Sequence, residues 1–417
     1  MVNNEHTKLE LIQAQVSFIP EGWKLDKVGK ALKIKNNLRK PISQEVRSTI
    51  QGSYPYYGPT KIQDYISDFE QDGIYALIGE DGDHFLKYSS MKQTQFISGK
   101  CTVNNHAHII GSSQTCNSEW FYIFFKHRNI TNFLSRQGAG RFKLNKATLE
   151  KLPLLVPPLS EQRKIATTLG TWDKAISTTE RLIDNSKQQK KALMQQLLTG
   201  KKRLLDDSGK PFEGEWIHGY LGDLCVLKGG SAFKEIYQGN TSGDIPFIKV
   251  SDMNLPLNKK LINEANNWIK KDVVQQIKAK IFSKGAVVFA KVGAALLLNR
   301  RRILTRETIV DNNMMAATPL ESSTTEFLYQ IMLAIDFAKL VQDGAVPSVN
   351  QSDLSKFKLT YPNILEQKKI ASVLANTDKE VELLEQQLAD LIKEKKALMQ
   401  QLLTGKRRVK VDEKEVA

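Results

Sequence analysis

Cysteine is scarce, with three in 417 residues. Cys101, Cys116 and Cys225 form no Cys-x-x-Cys pair, so a disulfide framework is excluded and a reducing compartment fits. Long apolar runs are missing too. No stretch approaches the roughly 20 residues of a membrane helix. Met1–Gln15 is polar and mixed in charge, without the apolar core of a signal peptide. The expectation is a soluble, cytoplasmic chain. Catalytic signatures are absent as well. The only Pro-Pro stands in Val156-Pro157-Pro158-Leu159, which lacks the polar residue and the aromatic of an adenine-methylating Asp/Asn-Pro-Pro-aromatic motif. Gly200-Lys201-Lys202 lacks the upstream Gly and the Ser/Thr of a phosphate-binding loop. Glu394-x-Lys396 sits in a helical pattern, where a nuclease would need it in a strand. Acid, finally, is outnumbered. Against 45 Asp and Glu stand 60 Lys and Arg, a net charge of +15. Such a surplus favours a polyanion as partner, because each cation that neutralises a phosphate releases a counterion. A merely basic chain without such a partner is the plainer reading.

What the sequence has is a copy of itself. KKALMQQLLTGK occupies 190–201 and again 395–406, an offset of 205. The same offset aligns Glu161-Gln162 with Glu366-Gln367, Lys164-Ile165-Ala166 with Lys369-Ile370-Ala371, and Asp173-Lys174 with Asp378-Lys379. A period this long means a duplicated domain pair, not a solenoid. Ahead of each shared part, Gly22-Trp23 and Val28-Gly29 face Glu215-Trp216 and Leu221-Gly222 at an offset of 193. Between those anchors there is little similarity. The order is variable, shared, variable, shared.

The shared parts read as long helices. Steps of four and three from Ile165 reach Leu169, Trp172, Ile176, Thr179, Ile183, Ser186, Lys190, Leu193 and Leu197. The equivalent run from Ile370 reaches Leu402. A period of 3.5 marks a coiled-coil seam. Ser160 is a candidate cap at the first start, and Gly200 and Gly405 stand at the ends. About 38 residues at ~1.5 Å each span ~57 Å, near the length of ~17 base pairs. Each apolar stripe needs a partner, and the other copy is the obvious one. Antiparallel pairing, the favoured arrangement, places the variable domains at opposite ends, where parallel pairing would place both at one end. Each helix packing on its own domain is the plainer alternative. Lys190 and Lys395 occupy equivalent seam positions and either fix register or reach to water.

LPLLVPPLSEQRKIA (152–166) and LTYPNILEQKKIA (359–371), together with the repeated helix end, resemble the junctions of type I restriction–modification specificity subunits. SYPYYGPTKIQDYI (53–66), DGIYALIGEDG (72–82) and VNNHAHII (103–110) resemble the target recognition domains of that family. So do LKGGSAFK (227–234), IPFIKVSDMN (245–254) and DNNMMA (311–316). The resemblance spans about Gly22 to Arg408. It departs at QGAGRFKLN (137–145) against QDGAVPSVN (342–350), where Arg141 has no counterpart at Val346.

The resemblance implies an α+β fold with two α/β recognition domains and two long antiparallel helices forming a pseudo-two-fold coiled coil. The domains would run 1–158, 159–205, 206–363 and 364–417. It implies a non-catalytic subunit in which each recognition domain reads half of a bipartite double-stranded DNA site, with an adenine in each half. The coiled coil would set the spacer. Two methyltransferase subunits and, for cleavage, motor–nuclease subunits would be the partners. S-adenosylmethionine, ATP and Mg would sit on those partners and no cofactor on this chain. The recognition part of a fused restriction–methylation enzyme and a plain coiled-coil scaffold remain open beside it.

Candidate phosphate contacts are Lys61, Arg141, Lys143, Lys228, Lys234, Lys291 and the run Arg300-Arg301-Arg302, which also reads as a solvated basic face. Candidate base readers are Asn104, Asn105 and His106, then Asn312 and Asn313. Tyr54 and Tyr57 belong to a Pro-stiffened YPYYG loop. Ser231 follows Gly229-Gly230, whose amides can approach a phosphate or make a plain turn. His106 and His108 can share a strand face and hold a metal, or serve packing and polar contacts.

Overall fold

The computed structural model describes residues 8–137, 141–341 and 346–411. The chain is α+β and forms two compact units, Met1–Thr178 with Leu388–Ala417, and Thr179–Gln387. Two helices of 39 residues, Leu159–Leu197 and Ile364–Leu402, each give one part to each unit. Among the described residues no helix is long and apolar enough to cross a membrane.

In the first unit, strand β1 (Lys24–Lys27) pairs antiparallel with β10 (Pro153–Val156), returning the chain to the strand before the long helix. Between them lie β2 (Lys33–Ile34), β3 (Gln51–Tyr57), β4 (Ile62–Ile66), β5 (Gln71–Gly79), β6 (Thr94–Val103) and β7 (Ala107–Gly111). They form one sheet, ordered β2-β7-β5-β6-β3-β4, antiparallel except where β3 meets β6. A two-stranded ribbon, β8 (Ser135–Gln137) with β9 (Arg141–Lys143), completes it. The helix Ser118–Phe125 buries Trp120, Phe121, Phe124 and Phe125 in one core with Ala76, Ile78, Ile165 and Leu169. Burying each of these aromatics is worth about 1.5–3 kcal/mol.

The second unit has its own ribbon, β11 (Ile217–Tyr220) with β21 (Lys358–Tyr361). Its strands are β12 (Cys225–Gly229), β13 (Ile245–Ile248), β14 (Leu261–Ile262), β15 (Trp268–Ile269), β16 (Ile281–Phe282), β17 (Val287–Ala290), β18 (Arg302–Leu304), β19 (Thr308–Val310) and β20 (Met314–Pro319). They split into two sheets, β12-β20-β17-β18-β14 and β15-β13-β19-β16. The helix Thr325–Ala334 buries Phe327, Leu328, Ile331 and Met332 among Val287, Phe289, Ile370 and Leu374.

The two units share most contacts of their base. Val28 N donates to Leu152 O, and 193 and 205 residues on, Leu221 N donates to Phe357 O. A side chain on Gly29 would meet Glu150 at 2.9 Å, and one on Gly222 would meet Ser355 at 3.1 Å. Gln162 donates to Pro157 O and Thr115 O, while Gln367 donates to Pro362 O and Ser322 O. Arg408 pairs with the buried Glu161 and donates to Glu21 O. Arg203 pairs with the buried Glu366 at 2.6 Å and donates to Gly214 O. The Glu-Gln pair thus closes the helix start against the end of the other helix.

Within each unit the two helix parts run antiparallel. In the first, Glu161 meets Arg408 and Asp173 meets Lys395. In the second, Glu366 meets Arg203 and Asp378 meets Lys190. These are the same two pairs at an offset of 205. All twenty expected seam positions are buried or half-buried. Ser160 lies inside its helix, so the cap position falls on Pro158, where the second copy has Asn363 accepting from Leu365 N and Glu366 N. Gly200 and Gly405 close the helices at φ +72° and +68°. Lys202 N donates to Gln196 O and Arg407 N to Gln401 O, each bond reaching back across the left-handed glycine.

Candidate nucleic-acid interface

In the first unit, one end of the six-stranded sheet gathers most of the expected residues. The turn between β6 and β7 holds Asn104, Asn105 and His106. Asn104 is 5% exposed, accepts from His106 N at 2.8 Å and donates to Gln63 at 3.1 Å. It therefore builds the turn, and Asn105 and His106 are what the turn presents. Asn104 N donates to Tyr57 O, and Lys61 is exposed in the β3–β4 turn closed by Gly58 N donating to Lys61 O.

Beside the turn, Glu80 binds the site together. It accepts from Arg39 at 2.6 Å and faces Lys143 at 3.5 Å and His108 Nε2 at 4.0 Å. Burial pushes its carboxyl up, but the Arg39 hydrogen bond and the charges of Arg39 and Lys143 outweigh it and hold it below the ordinary value. Arg39 also donates to Asn105 O at 2.9 Å. Neither Arg39 nor Glu80 stood out in the sequence. The cue was there only as Arg39-Lys40 after a polar stretch.

His108 is no metal ligand in this arrangement. Its Nε2 faces Leu144 O at 2.6 Å and must carry the proton, so Nδ1 accepts from Asn36 at 2.8 Å. Burial, the largest influence, holds its pKa below the usual value. His106 is exposed, 3.3 Å from Asp81. The YPYYG segment is a strand with two irregularities in register, not a loop. Tyr56 is core, and its hydroxyl accepts from Ile42 N at 2.9 Å. Tyr57 is half-buried, and Tyr54 rests on Phe69, 5.0 Å between ring centres, toward Lys100. The backbone of Arg141 pairs with Gln137, while its side chain and residues 138–140 lie outside the described residues. So do 342–345 of the aligned segment.

In the second unit the expected residues fall into two groups. Ser231 bridges Asp311, and the exposed Asn312 and Asn313 follow in the β19–β20 turn. Lys291 N donates to Asn313 O, and Lys291 Nζ reaches within 3.2 Å of where a side chain on Gly229 would begin. Lys228 is exposed next to it, and Lys280 donates to Gly229 O at 3.3 Å and to Ser231 Oγ at 2.9 Å. The glycines do not offer free amides. Gly230 N donates to Met314 O and Ser231 N to Val310 O. A side chain on Gly230 would strike Asp311 O at 2.2 Å, so strand packing is what requires glycine there. Lys234 is exposed at the start of a short turn.

The arginine run lies apart and is not one basic face. Arg301 is 1% exposed. Its guanidinium lies 3.6 Å from the Phe337 ring centre and donates to Arg300 O, Asn299 and Ile335 O. Burial brings its pKa down to about 9. Arg302 is half-buried and spends its donors on Asn258 O, Met253 O and Arg301 O. Only Arg300 is exposed, held by Asn254. The three cysteines are buried, with thiols pushed up by burial to about 11 for Cys101 and about 12 for Cys116 and Cys225, which makes them poor nucleophiles. Among the described residues no three His, Cys, Asp or Glu side chains cluster to hold a metal.

Two unlike sheet domains on one duplicated base, each presenting exposed amide and basic side chains, define a macromolecular recognition protein of two dissimilar readers. A model of the type I restriction–modification DNA specificity domain matches residues 20–186 and again 213–394, and the chain belongs to that family. A putative type I restriction enzyme specificity subunit of Haemophilus influenzae is 28% identical over 363 residues, 84% of this chain and 86% of that one. The type I restriction enzyme MjaVIII specificity subunit of Methanocaldococcus jannaschii is 24% identical over 409 residues, 94% of each. Among solved structures, a type I restriction–modification S subunit from M. genitalium aligns with a TM-score of 0.59 at 13% identity, over 93% of this chain and 96% of that one. A chain from a study of assembly and conformational transition of the type I system aligns at 0.56 and 14%, over 93% and 99%. These two share the fold. The chain is a DNA-recognition subunit and not an enzyme.

Proposed function

We propose that the two sheet domains read the two halves of a split double-stranded DNA site. In the first unit, Asn105 and His106 meet base edges while Lys61 and Lys143 meet phosphates. In the second, Asn312 and Asn313 meet base edges while Lys228, Ser231 and Lys291 meet phosphates. The paired long helices set the spacer and offer the same surface twice, so that two adenine methyltransferase subunits dock. Motor–nuclease subunits join them for cleavage. S-adenosylmethionine, ATP and Mg belong to those subunits.

One observation carries this reading. The base of each unit repeats its strand bond, its Gln contacts to two carbonyls and its Glu–Arg and Asp–Lys pairs at offsets of 193 and 205, while the sheets above it differ in strand order. Equal bases suit two copies of one partner, and unequal sheets suit two different half-sites.

Methylome sequencing of cells carrying the chain with its modification partner tests it. The expected motif has two unlike halves, one methylated adenine in each, and a fixed spacer. An undivided motif would refute the reading, as would methyl transfer from S-adenosylmethionine by the purified chain alone.

A further inference from the structure

The two long helices end in the same twelve residues, yet what covers those ends differs. In the first unit the chain before Pro20 closes over the helix end. Leu11, Ala14, Val16 and Ile19 share a core with Met399 and Leu403. Arg128 donates to Ala14 O, Gln15 donates to Asn129 O, and Pro20 lies where a side chain on Gly405 would begin.

The second unit has the same floor without the cover. Met194 and Leu198, the copies of Met399 and Leu403, line a groove of about 850 Å3 together with Tyr220, Leu333, Phe357 and Leu359. The chain from Gly200 to Trp216 packs Leu204 and Trp216 on the same core but lines none of the groove. It folds back on itself, Leu205 bridging Pro211 and Asp206 N donating to Lys210 O. Lys191, Lys358 and His218 stand on the rim, and among the described residues no Asp or Glu lines the groove.

We infer that this groove receives an amphipathic helix with an acidic flank, supplied by a different protein chain. The first unit shows what fits the floor: a short helix, Lys8–Gln13, continued by small and branched apolar residues. The rim lysines select the acidic flank. A second copy of this chain is a poor donor. Its own segment would leave its first unit bare, so the exchange gains no contact, and its net charge of +15 opposes the approach. The inference is independent of which DNA site the chain reads.

The probe is a fluorescent peptide with the sequence of residues 8–19 and a second one carrying Lys8→Glu and Gln13→Glu, titrated against the whole chain. Saturable binding is expected, tighter for the acidic peptide. The exposed rim substitutions Lys191→Glu and Lys358→Glu together should weaken the acidic peptide about tenfold or more. Tyr220→Glu should weaken both peptides, with circular dichroism unchanged. Peptide binding that ignores Tyr220→Glu, or no binding at all, overturns the inference. So does a concentration-dependent dimer of the chain that Tyr220→Glu abolishes, because the occupant would then be a second copy.

Discussion

At the scale of single residues, direction matters more than identity. Arg300, Arg301 and Arg302 are chemically equal, yet the first faces water, the second lies against Phe337 and the third ties down three carbonyls. Sequence gives the run but not the turn of backbone that aims each side chain. Asn104 teaches the same point, since an Asn suited to a base edge is used up in shaping the turn that presents Asn105 and His106. Glu80 was invisible because a carboxylate is no DNA contact, although it holds Arg39 and Lys143 at the sheet end. Its carboxyl is held below the ordinary 4.5, so it contributes stability above that pH and loses it as pH falls through the folded value. Glu80→Gln should therefore cost about 1–3 kcal/mol at pH 7, and the gap to the parent should close as pH falls through the folded value. Amide exchange of β5 across that range measures it. Equal protection of variant and parent at pH 7 would contradict the assigned role.

At the scale of elements, the long helices were legible and the strands were not. A 3.5-residue period sustained over ten positions marks the seam though not the direction of its partner, and every expected seam position is buried or half-buried. Strands of two to five residues in mixed sheets, such as Leu261–Ile262 or Ile281–Phe282, carry too little alternation to be read. Lys190 and Lys395 were left between register and solvent, and the structure gives both a carboxylate partner. The two nodes nevertheless differ. Asp173 serves two buried lysines, Lys395 and Lys126, the latter at 3.4 Å. Asp378 serves Lys190 and the neutral Gln330, at 3.0 Å from the latter. Burial, the largest influence, pulls the Lys395 pKa down, with Asp173 opposing and Lys126 adding to it. Asp173→Asn leaves two buried cations facing each other and should cost about 2 kcal/mol, against about 1 kcal/mol for Asp378→Asn. Adding Lys126→Met should recover part of the first loss. Thermal melting of the four proteins decides, and equal losses with no recovery would sink the account.

At the scale of the whole molecule, duplication turns a sequence repeat into a mechanical prediction. The paired contacts Glu161–Arg408 with Asp173–Lys395, and Glu366–Arg203 with Asp378–Lys190, lock each unit near its own helix ends. Between the locks, residues 176–182 and 381–387 are equivalent heptads at the offset of 205 and include neither lock. Deleting both keeps the seam in phase, because one full heptad leaves each remaining apolar position facing its partner. It also leaves both sheet domains untouched. If the helices set the distance between half-sites, the deletion should change the preferred spacer by up to about three base pairs, from ~10 Å of lost helix against 3.4 Å per step. Both half-site sequences should persist. Methylome sequencing of the deletion strain separates these outcomes. An unchanged spacer would remove the helices from their role as ruler, whereas altered half-sites would mean that the sheet domains do not read DNA independently of the helices that join them.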